Sequence, residues 1–355
     1  MRVIIRKDAP EASVYVASYI IERIKAFRPT PSKPFVLGLP TGSSPELVYK
    51  HLVQAYKNGE ISFQNVITFN MDEYVNLPPT HPESYHSFMY KHFFSHIDIN
   101  PSNVHILDGN APDLARECVM YEEKIRRCGG IELFLGGIGS DGHIAFNEPG
   151  SSLNSRTRVK TLAYETVVAN SRFFDDDVEK VPKMALTVGV ATVLDAREVV
   201  IIVTGNHKAA ALQQSLEQGV SAMCPFSALQ LHERALIVAD DPATIELKVK
   251  TVNYYKSIEM IANQNGFTQT IRPQVEIDNT SKSVKEELDS PVPSVAKEGL
   301  LAKPENVDLQ HMRSPTPELM PDRMASRLAN GYGNGLDTGE VQFQNMSSRV
   351  APLAG

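Results

Sequence analysis

One histidine of this 355-residue chain, His143, has a carboxylate two positions before it, Asp141, and another five positions after it, Glu148. Carboxylates around an imidazole orient the ring and stabilise its charged form, which suits it to shuttle a proton near neutral pH. A second acidic pair, Asp72-Glu73, follows directly on the apolar run 66–70. Partial burial there raises a carboxyl pKa, so Asp72 is a candidate base, while Glu73 is assigned the plainer task of capping the next helix. Two further clusters are suited to an anion. Thr41, Gly42 and Ser43 belong to a small-residue loop, 38–45, that opens a helix whose free N–H groups and dipole favour a phosphate or carboxylate. Lys208, in 204–210, lies where a strand gives way to a helix and is aimed at the same crevice as a partner for phosphate.

These four clusters need a scaffold that gathers them. Short apolar blocks bounded by Gly or Pro predict strands at 3–6, 35–39, 66–70, 131–136, 199–204 and 236–239. Helical spacing predicts helices at 12–27, 45–57 and 242–258, with Ser44 as N-cap and Pro45 as first helical residue of the second. Alternating strands and helices give an α/β fold, a doubly wound, mainly parallel, Rossmann-like sheet with helices on both faces. In such sheets ligands bind beyond the carboxyl ends of the strands, where all four clusters fall. Residues 1–265 are read as the catalytic domain. Residues 266–355, rich in Pro, Ser and Asn and without periodic apolar pattern, are read as a disordered tail. Its Ser290-Pro291, Ser314-Pro315 and Thr316-Pro317 dipeptides are ordinary for such a segment.

Several function classes are disfavoured. A net charge of −7 offers no footprint for nucleic acid. No apolar run is long enough to cross a bilayer, and Arg2, Arg6, Lys7, Asp8 and Glu11 interrupt any secretory signal, so the expected location is cytoplasmic. Cys118, Cys128 and Cys224 lack paired spacing and predict reduced thiols. Gly137, Gly139 and Gly142 satisfy the G-x-G-x-x-G pattern, but Pro149-Gly150 follows instead of a long helix, which argues against a nicotinamide cofactor. His92 and His96 sit one helical turn apart, yet Phe93 stands where a metalloprotease motif needs its glutamate; no metal is expected.

Taken together, segments 38–45, 69–74, 81–85, 109–113, 136–152, 155–161, 170–175 and 229–232 resemble the isomerase-type glucosamine-6-phosphate deaminases, of the glucosamine/galactosamine-6-phosphate isomerase family. The resemblance spans essentially residues 1–260 and leaves the remainder uncovered. It implies conversion of α-D-glucosamine 6-phosphate and water to D-fructose 6-phosphate and ammonium, without a cofactor, in amino-sugar catabolism. By the same resemblance His143, assisted by Asp141 and Glu148, opens the sugar ring, and Asp72 carries a proton from C2 to C1. The substrate phosphate lies against Thr41, Gly42 and Ser43 with Arg172 and Lys208 as charged partners. Residues 162–182 correspond to a mobile lid.

Bacterial members carry an allosteric site for N-acetylglucosamine 6-phosphate, and Ser151, Ser152, Arg158, Lys160 and Tyr254 match its residues. A homo-oligomer, first of all a hexamer, is implied. Two rivals are a sugar-phosphate lactonase or simple isomerase on a related scaffold, and a non-catalytic sugar-phosphate sensor. Asp72, His143 and Glu148 together favour the deaminase over the first. The acidic balance and the absence of room for a DNA-binding module before the first strand weigh against the second.

Overall fold

Apolar blocks become strands buried on both faces. In the computed structural model, which describes residues 1–266, the strands in chain order are β1 (Arg2–Arg6), β2 (Phe35–Leu39), β3 (Val66–Asn70), β4 (Asp72–Tyr74), β5 (Val104–His105), β6 (Leu133–Gly136), β7 (Arg158–Thr161), β8 (Met184–Thr187), β9 (Glu198–Val203) and β10 (Ala235–Asp240). The helices are α1 (Ala9–Phe27), α2 (Ser43–Lys57), α3 (Tyr85–His92), α4 (Leu114–Arg127), α5 (Tyr164–Ser171), α6 (Val190–Leu194), α7 (Ala209–Glu217) and α8 (Val249–Gln264). The sequence-predicted tail from residue 267 onward, with its Ser-Pro and Thr-Pro sites, lies outside the described residues.

Seven strands form one parallel sheet in the order β1-β10-β9-β6-β2-β3-β5. Alternate side chains enter two cores. Val36, Phe134, Val199 and Ile201 pack with Tyr121 of α4, Val193 of α6 and Leu212 of α7 on one face. Phe35, Leu37, Leu133 and Ile202 pack with Ile20 of α1, Leu52 of α2 and Met89 of α3 on the other. This is the doubly wound arrangement that the sequence predicts. The chain winds outward from the centre in two directions, through β2, β3 and β5 and through β6, β9 and β10, so the order reverses between β2 and β6. The carboxyl ends of β9, β6, β2 and β3, which carry the four polar clusters, are therefore consecutive in the sheet.

A second, antiparallel sheet, β4-β8-β7, rises beyond this edge. It has a small apolar core of its own, Tyr74, Leu77, Phe146, Leu162, Val167, Phe174, Val181 and Ala185. Gly109 lets the chain pass close behind β4: a Cβ there would stand 1.9 Å from the carbonyl oxygen of Tyr74, closer than any side chain tolerates.

Two local expectations are corrected. The N-cap of α2 is Gly42, at φ 102°, not Ser44; Ser43 is the first helical residue, and Pro45 lies in the first turn rather than opening it. Only glycine turns comfortably through that dihedral, and the helix starts as soon as the turn is made. The predicted helix 242–258 is broken. Asp240 caps a short 3₁₀ turn, Asp241–Thr244, and Lys248 is extended at ψ 140°, so α8 begins only at Val249. The other end of the fold matches its pattern, with Asp8 capping α1 by accepting a hydrogen bond from the Glu11 amide at 3.0 Å.

Cys118 and Cys224 are buried free thiols, and Cys128 is half-buried and also free. His92 and His96 serve packing and local bonding: the His92 ring lies against Phe88, and His96 Nε2 is 2.9 Å from the Lys91 carbonyl, with Phe93 and Phe94 buried between them. Among the described residues no helix is long and apolar enough to cross a membrane, and no cluster of three or more His, Cys, Asp or Glu side chains is placed to hold a metal ion.

Candidate active site

A cavity of about 350 Å³ opens over the four consecutive strand ends. Its wall includes Thr41, Gly42 and Ser43 from the β2–α2 loop, Asp72 from β4, Asp141 and His143 from the loop after β6, and Lys208 after β9. Arg172, just past the end of α5, comes from the opposite side. Sequence position alone set these groups up to 167 residues apart, counting from Thr41 to Lys208; the reversal in strand order brings them together.

Asp72 is the most perturbed carboxyl group among the described residues. Its hydrogen-bonded place in β4, opposite Thr187, fixes the backbone, and the residue is only 7 % exposed. Burial first, and the neighbouring charge of Glu73 second, raise its pKa from 3.8 to about 8. A carboxyl group that ionises close to the working pH is matched to accepting and returning a proton. Glu73 points away from this chemistry. Its carboxylate accepts hydrogen bonds from the amides of Tyr74 (2.8 Å), Tyr85 (3.0 Å) and His86 (2.9 Å), so it caps the start of α3 as the sequence suggests.

His143 sits against Asp141, whose Oδ1 lies 2.6 Å from the ring Nδ1 and also accepts from the His143 amide at 3.2 Å. This close contact holds the imidazole ring against the carboxylate. Burial alone would raise the Asp141 pKa, but the His143 contact and the backbone amides bring it below the ordinary value. After Gly142 the chain forms turns and an Ile144–Asn147 bridge instead of a helix, as the Pro149-Gly150 break predicts.

Glu148 is placed one layer behind the cavity wall. It is buried, its Oε1 accepts from the Ala163 amide (2.8 Å) and the Thr166 hydroxyl (2.5 Å), and Lys160 Nζ lies 3.9 Å from Oε2. The structure thus ties Glu148 to the start of α5, while Asp141 is the carboxylate that touches His143.

One half of the cavity wall is cationic and helix-ended. The N-terminus of α2 opens onto the cavity beside Lys208 and Arg172. Lys208 has a lowered pKa, from burial first and from the charge of Arg172 second, offset in part by Asp141. Two cations close enough to disfavour one another are relieved by a bound dianion. Arg172 meanwhile rests over the ring of Phe173, 4.6 Å from its centroid.

Sequence reasoning missed several positioning residues. Asp240, buried at the end of β10, accepts hydrogen bonds from the Gly205 amide at 3.0 Å and the Ala243 amide at 2.9 Å, and so holds the turn that presents Lys208. Tyr74, Tyr85 and Asn170 line the cavity. An acidic residue closing a buried strand before Asp-Pro was the one available signal for Asp240.

The remaining predicted residues surround the turn after Asn147. The Ser151 hydroxyl is buried without a partner, Ser152 Oγ accepts from the Asn154 amide, and Arg158 Nη1 donates to Asn147 Oδ1 at 2.8 Å. Lys160 follows on β7. Tyr254 stands elsewhere, exposed on α8, which packs against edge strand β1.

Comparison with known proteins places this geometry in context. A family model described as glucosamine-6-phosphate isomerases/6-phosphogluconolactonase matches residues 7–238. A glucosamine-6-phosphate deaminase of Phocaeicola vulgatus is 62 % identical over 259 residues, covering 73 % of this chain and 98 % of the relative. Glucosamine-6-phosphate deaminase 1 of Bos taurus is 62 % identical over 264 residues, 74 % of this chain and 91 % of the relative. The solved structure of a monomeric glucosamine-6-phosphate deaminase superposes with a TM-score of 0.64 at 40 % identity, over 69 % of this chain and all of the other.

The raised pKa of Asp72 links protonation to stability. The folded chain holds a proton that the unfolded chain releases, so the stability due to this group is full below about pH 3.8 and is lost as the pH climbs through about 8. Asp72→Asn cannot ionise. Urea unfolding across this range should give a flatter pH dependence for the variant than for the parent chain; equal slopes would show that Asp72 ionises at its ordinary value.

Proposed function

Because the chain belongs to the glucosamine-6-phosphate isomerase/6-phosphogluconolactonase family, we propose that its cavity converts α-D-glucosamine 6-phosphate and water to D-fructose 6-phosphate and ammonium. The observation that carries this reading is Asp72: a nearly dry carboxylate with a pKa raised to about 8, facing the same cavity as an anion-binding helix end and two cations. A lactonase needs water activated at an ester. An aldose–ketose isomerisation needs a base that takes a proton from C2 and delivers it to C1, and a buried carboxylate that exchanges slowly with solvent suits that transfer.

In the proposed sequence the phosphate is held by the amides at Thr41, Gly42 and Ser43 with Lys208 and Arg172, in charge-assisted hydrogen bonds. His143, its ring oriented by Asp141, moves the proton needed to open the pyranose, with Glu148 behind it. Asp72 then removes the C2 proton of the open-chain form, and electrons shift toward the carbonyl oxygen, which takes up a proton as the C2 ammonium gives one up. The first proton is returned to C1 as the nitrogen lone pair forms the C2 iminium. The resulting iminium at C2 takes up water and expels ammonium, leaving the ketose. The catalytic unit is assigned to residues 1–265 and its place to the cytosol. Hexamer formation is the first choice among homo-oligomers, although one solved relative is described as monomeric. Ser151, Ser152, Arg158, Lys160 and Tyr254 are proposed contacts for N-acetylglucosamine 6-phosphate, supported by the buried, unpartnered Ser151 hydroxyl, with Tyr254 of α8 supplied across an interface between copies of the chain; an effect of that compound on KM in the assay below is their test.

Ammonium release and fructose 6-phosphate formation should appear in equal amounts from glucosamine 6-phosphate, at a rate unchanged by a metal chelator. Asp72→Asn should bind substrate and lose roughly 10²- to 10⁴-fold in kcat. Substrate binding without turnover in the parent chain would favour the sensor reading instead. Light scattering on the purified full chain should report an oligomer; a monomer at working concentration would overturn the hexamer.

A further inference from the structure

One hydrogen bond joins the two halves of the cavity. Asn170, in the last turn of α5, donates from Nδ2 to the hydroxyl of Tyr74 at 2.9 Å. Tyr74 lies two residues after Asp72 on β4, whose backbone is paired with β8 along its length. Its ring is buried among Tyr85, Phe146 and Phe174, with ring centroids 4.9, 5.8 and 5.9 Å away. The acceptor is therefore as fixed as the strand that carries the base.

At the other end the bond reaches Arg172. The Arg172 amide donates to the Asn170 carbonyl, and the arginine continues the helical turn at φ −54° and ψ −22°. Beyond it the chain is anchored again by Phe174, which is buried in the same aromatic cluster. The turn that follows contains two consecutive non-glycine residues in the left-handed region, Asp175 at φ 58° and Asp176 at φ 59°. Left-handed backbone costs free energy for residues with a Cβ, so this turn does not by itself favour the observed position of Arg172. Amides of Phe173, Phe174 and Asp176 close the turn locally onto the Asn170 and Ser171 carbonyls, and the Asn170 side chain and the Phe174 ring tie that turn to the β4 side of the cavity.

We infer that the Asn170–Tyr74 hydrogen bond is a spacer that fixes the separation between the phosphate-binding Arg172 and the base Asp72, making Asn170 and Tyr74 positioning residues that select a sugar with its phosphate at the far end from the reacting carbons. The inference rests on the sugar-phosphate reading above and adds to it a determinant of substrate length. Losing the bond leaves Asp72 on β4 and its proton chemistry in place. It frees Arg172 to sample positions at which phosphate and C2 cannot both be engaged, so the cost falls on productive binding.

The test uses Asn170→Ala, Tyr74→Phe and the double variant of the full chain. Tyr74→Phe keeps the ring in its aromatic cluster and removes the hydroxyl that meets both Asn170 and Tyr85, so the fold is retained. Each single variant should raise KM for glucosamine 6-phosphate by roughly two- to tenfold, the worth of one neutral hydrogen bond. The pH dependence of kcat should keep its shape, and the double variant should be no worse than Tyr74→Phe alone, since that variant already removes the Asn170 bond. A purely structural role would instead lower the unfolding midpoint and leave KM alone. Unchanged KM in both singles, losses that multiply in the double, or a shifted kcat profile would overturn the inference. Should the parent chain release no ammonium while retaining its fold, the sugar-phosphate reading fails and the inference falls with it.

Discussion

A carboxyl group in water gives up its proton near pH 4 because water stabilises the charge it leaves behind. At Asp72 that stabilisation is withdrawn. The residue stands at the junction of the two sheets, where β3 ends and β4 begins, with its side chain among buried neighbours and Glu73 beside it. Much of the surrounding architecture can be understood as keeping this group dry while still open to a ligand. The antiparallel sheet closes one side of it, and the core around Tyr74 and Phe146 excludes water from behind. Glu73 is turned aside by three backbone amides at the start of α3, so the second charge of the pair serves a helix cap and does not compete for the substrate.

The cationic half of the cavity follows an opposite rule. Lys208 and Arg172 are brought near enough to each other to be mutually unfavourable, and the N-terminus of α2 adds partial positive charge at the same place. Under the proposed function a substrate dianion would relieve that repulsion. Asp240 is buried to brace the Lys208 turn, and its hydrogen bonds to Gly205 and Ala243 link the ends of β9 and β10. The cationic groups and the buried carboxyl of Asp72 thus face one cavity, with the strand-order reversal between β2 and β6 determining that the two meet.

The parallel sheet was legible because its strands are buried on both faces: 35–39 and 66–70 coincide with β2 and β3, and the other blocks differ by one or two residues at their ends. Missing from that reading were the two-residue edge strand β5 of the parallel sheet, and β4, β7 and β8. Asp72-Glu73-Tyr74 carries two charges and Arg158-Val159-Lys160-Thr161 exposes alternate residues, so neither forms an apolar block; pairing with β8 makes them strands. The segment 162–182 reads as polar, yet Leu162, Val167, Phe174 and Val181 are spaced to bury a small core that only the tertiary fold completes. Asp240 escaped notice because its partner Gly205 lies 35 residues earlier, beyond any local window. The four polar clusters were readable for a simpler reason: each follows directly on a strand that was itself readable.

Central to the proposed function is that one buried carboxylate, Asp72, carries a proton between neighbouring carbons. Glucosamine 6-phosphate bearing deuterium at C2 would show this directly, with the product examined for label at C1 of fructose 6-phosphate. A carrier shielded from solvent predicts that part of the deuterium arrives at C1, in excess of anything the medium supplies. Turnover with no label at C1 would mean that solvent protons reach the base freely, contradicting the dry environment on which the account depends.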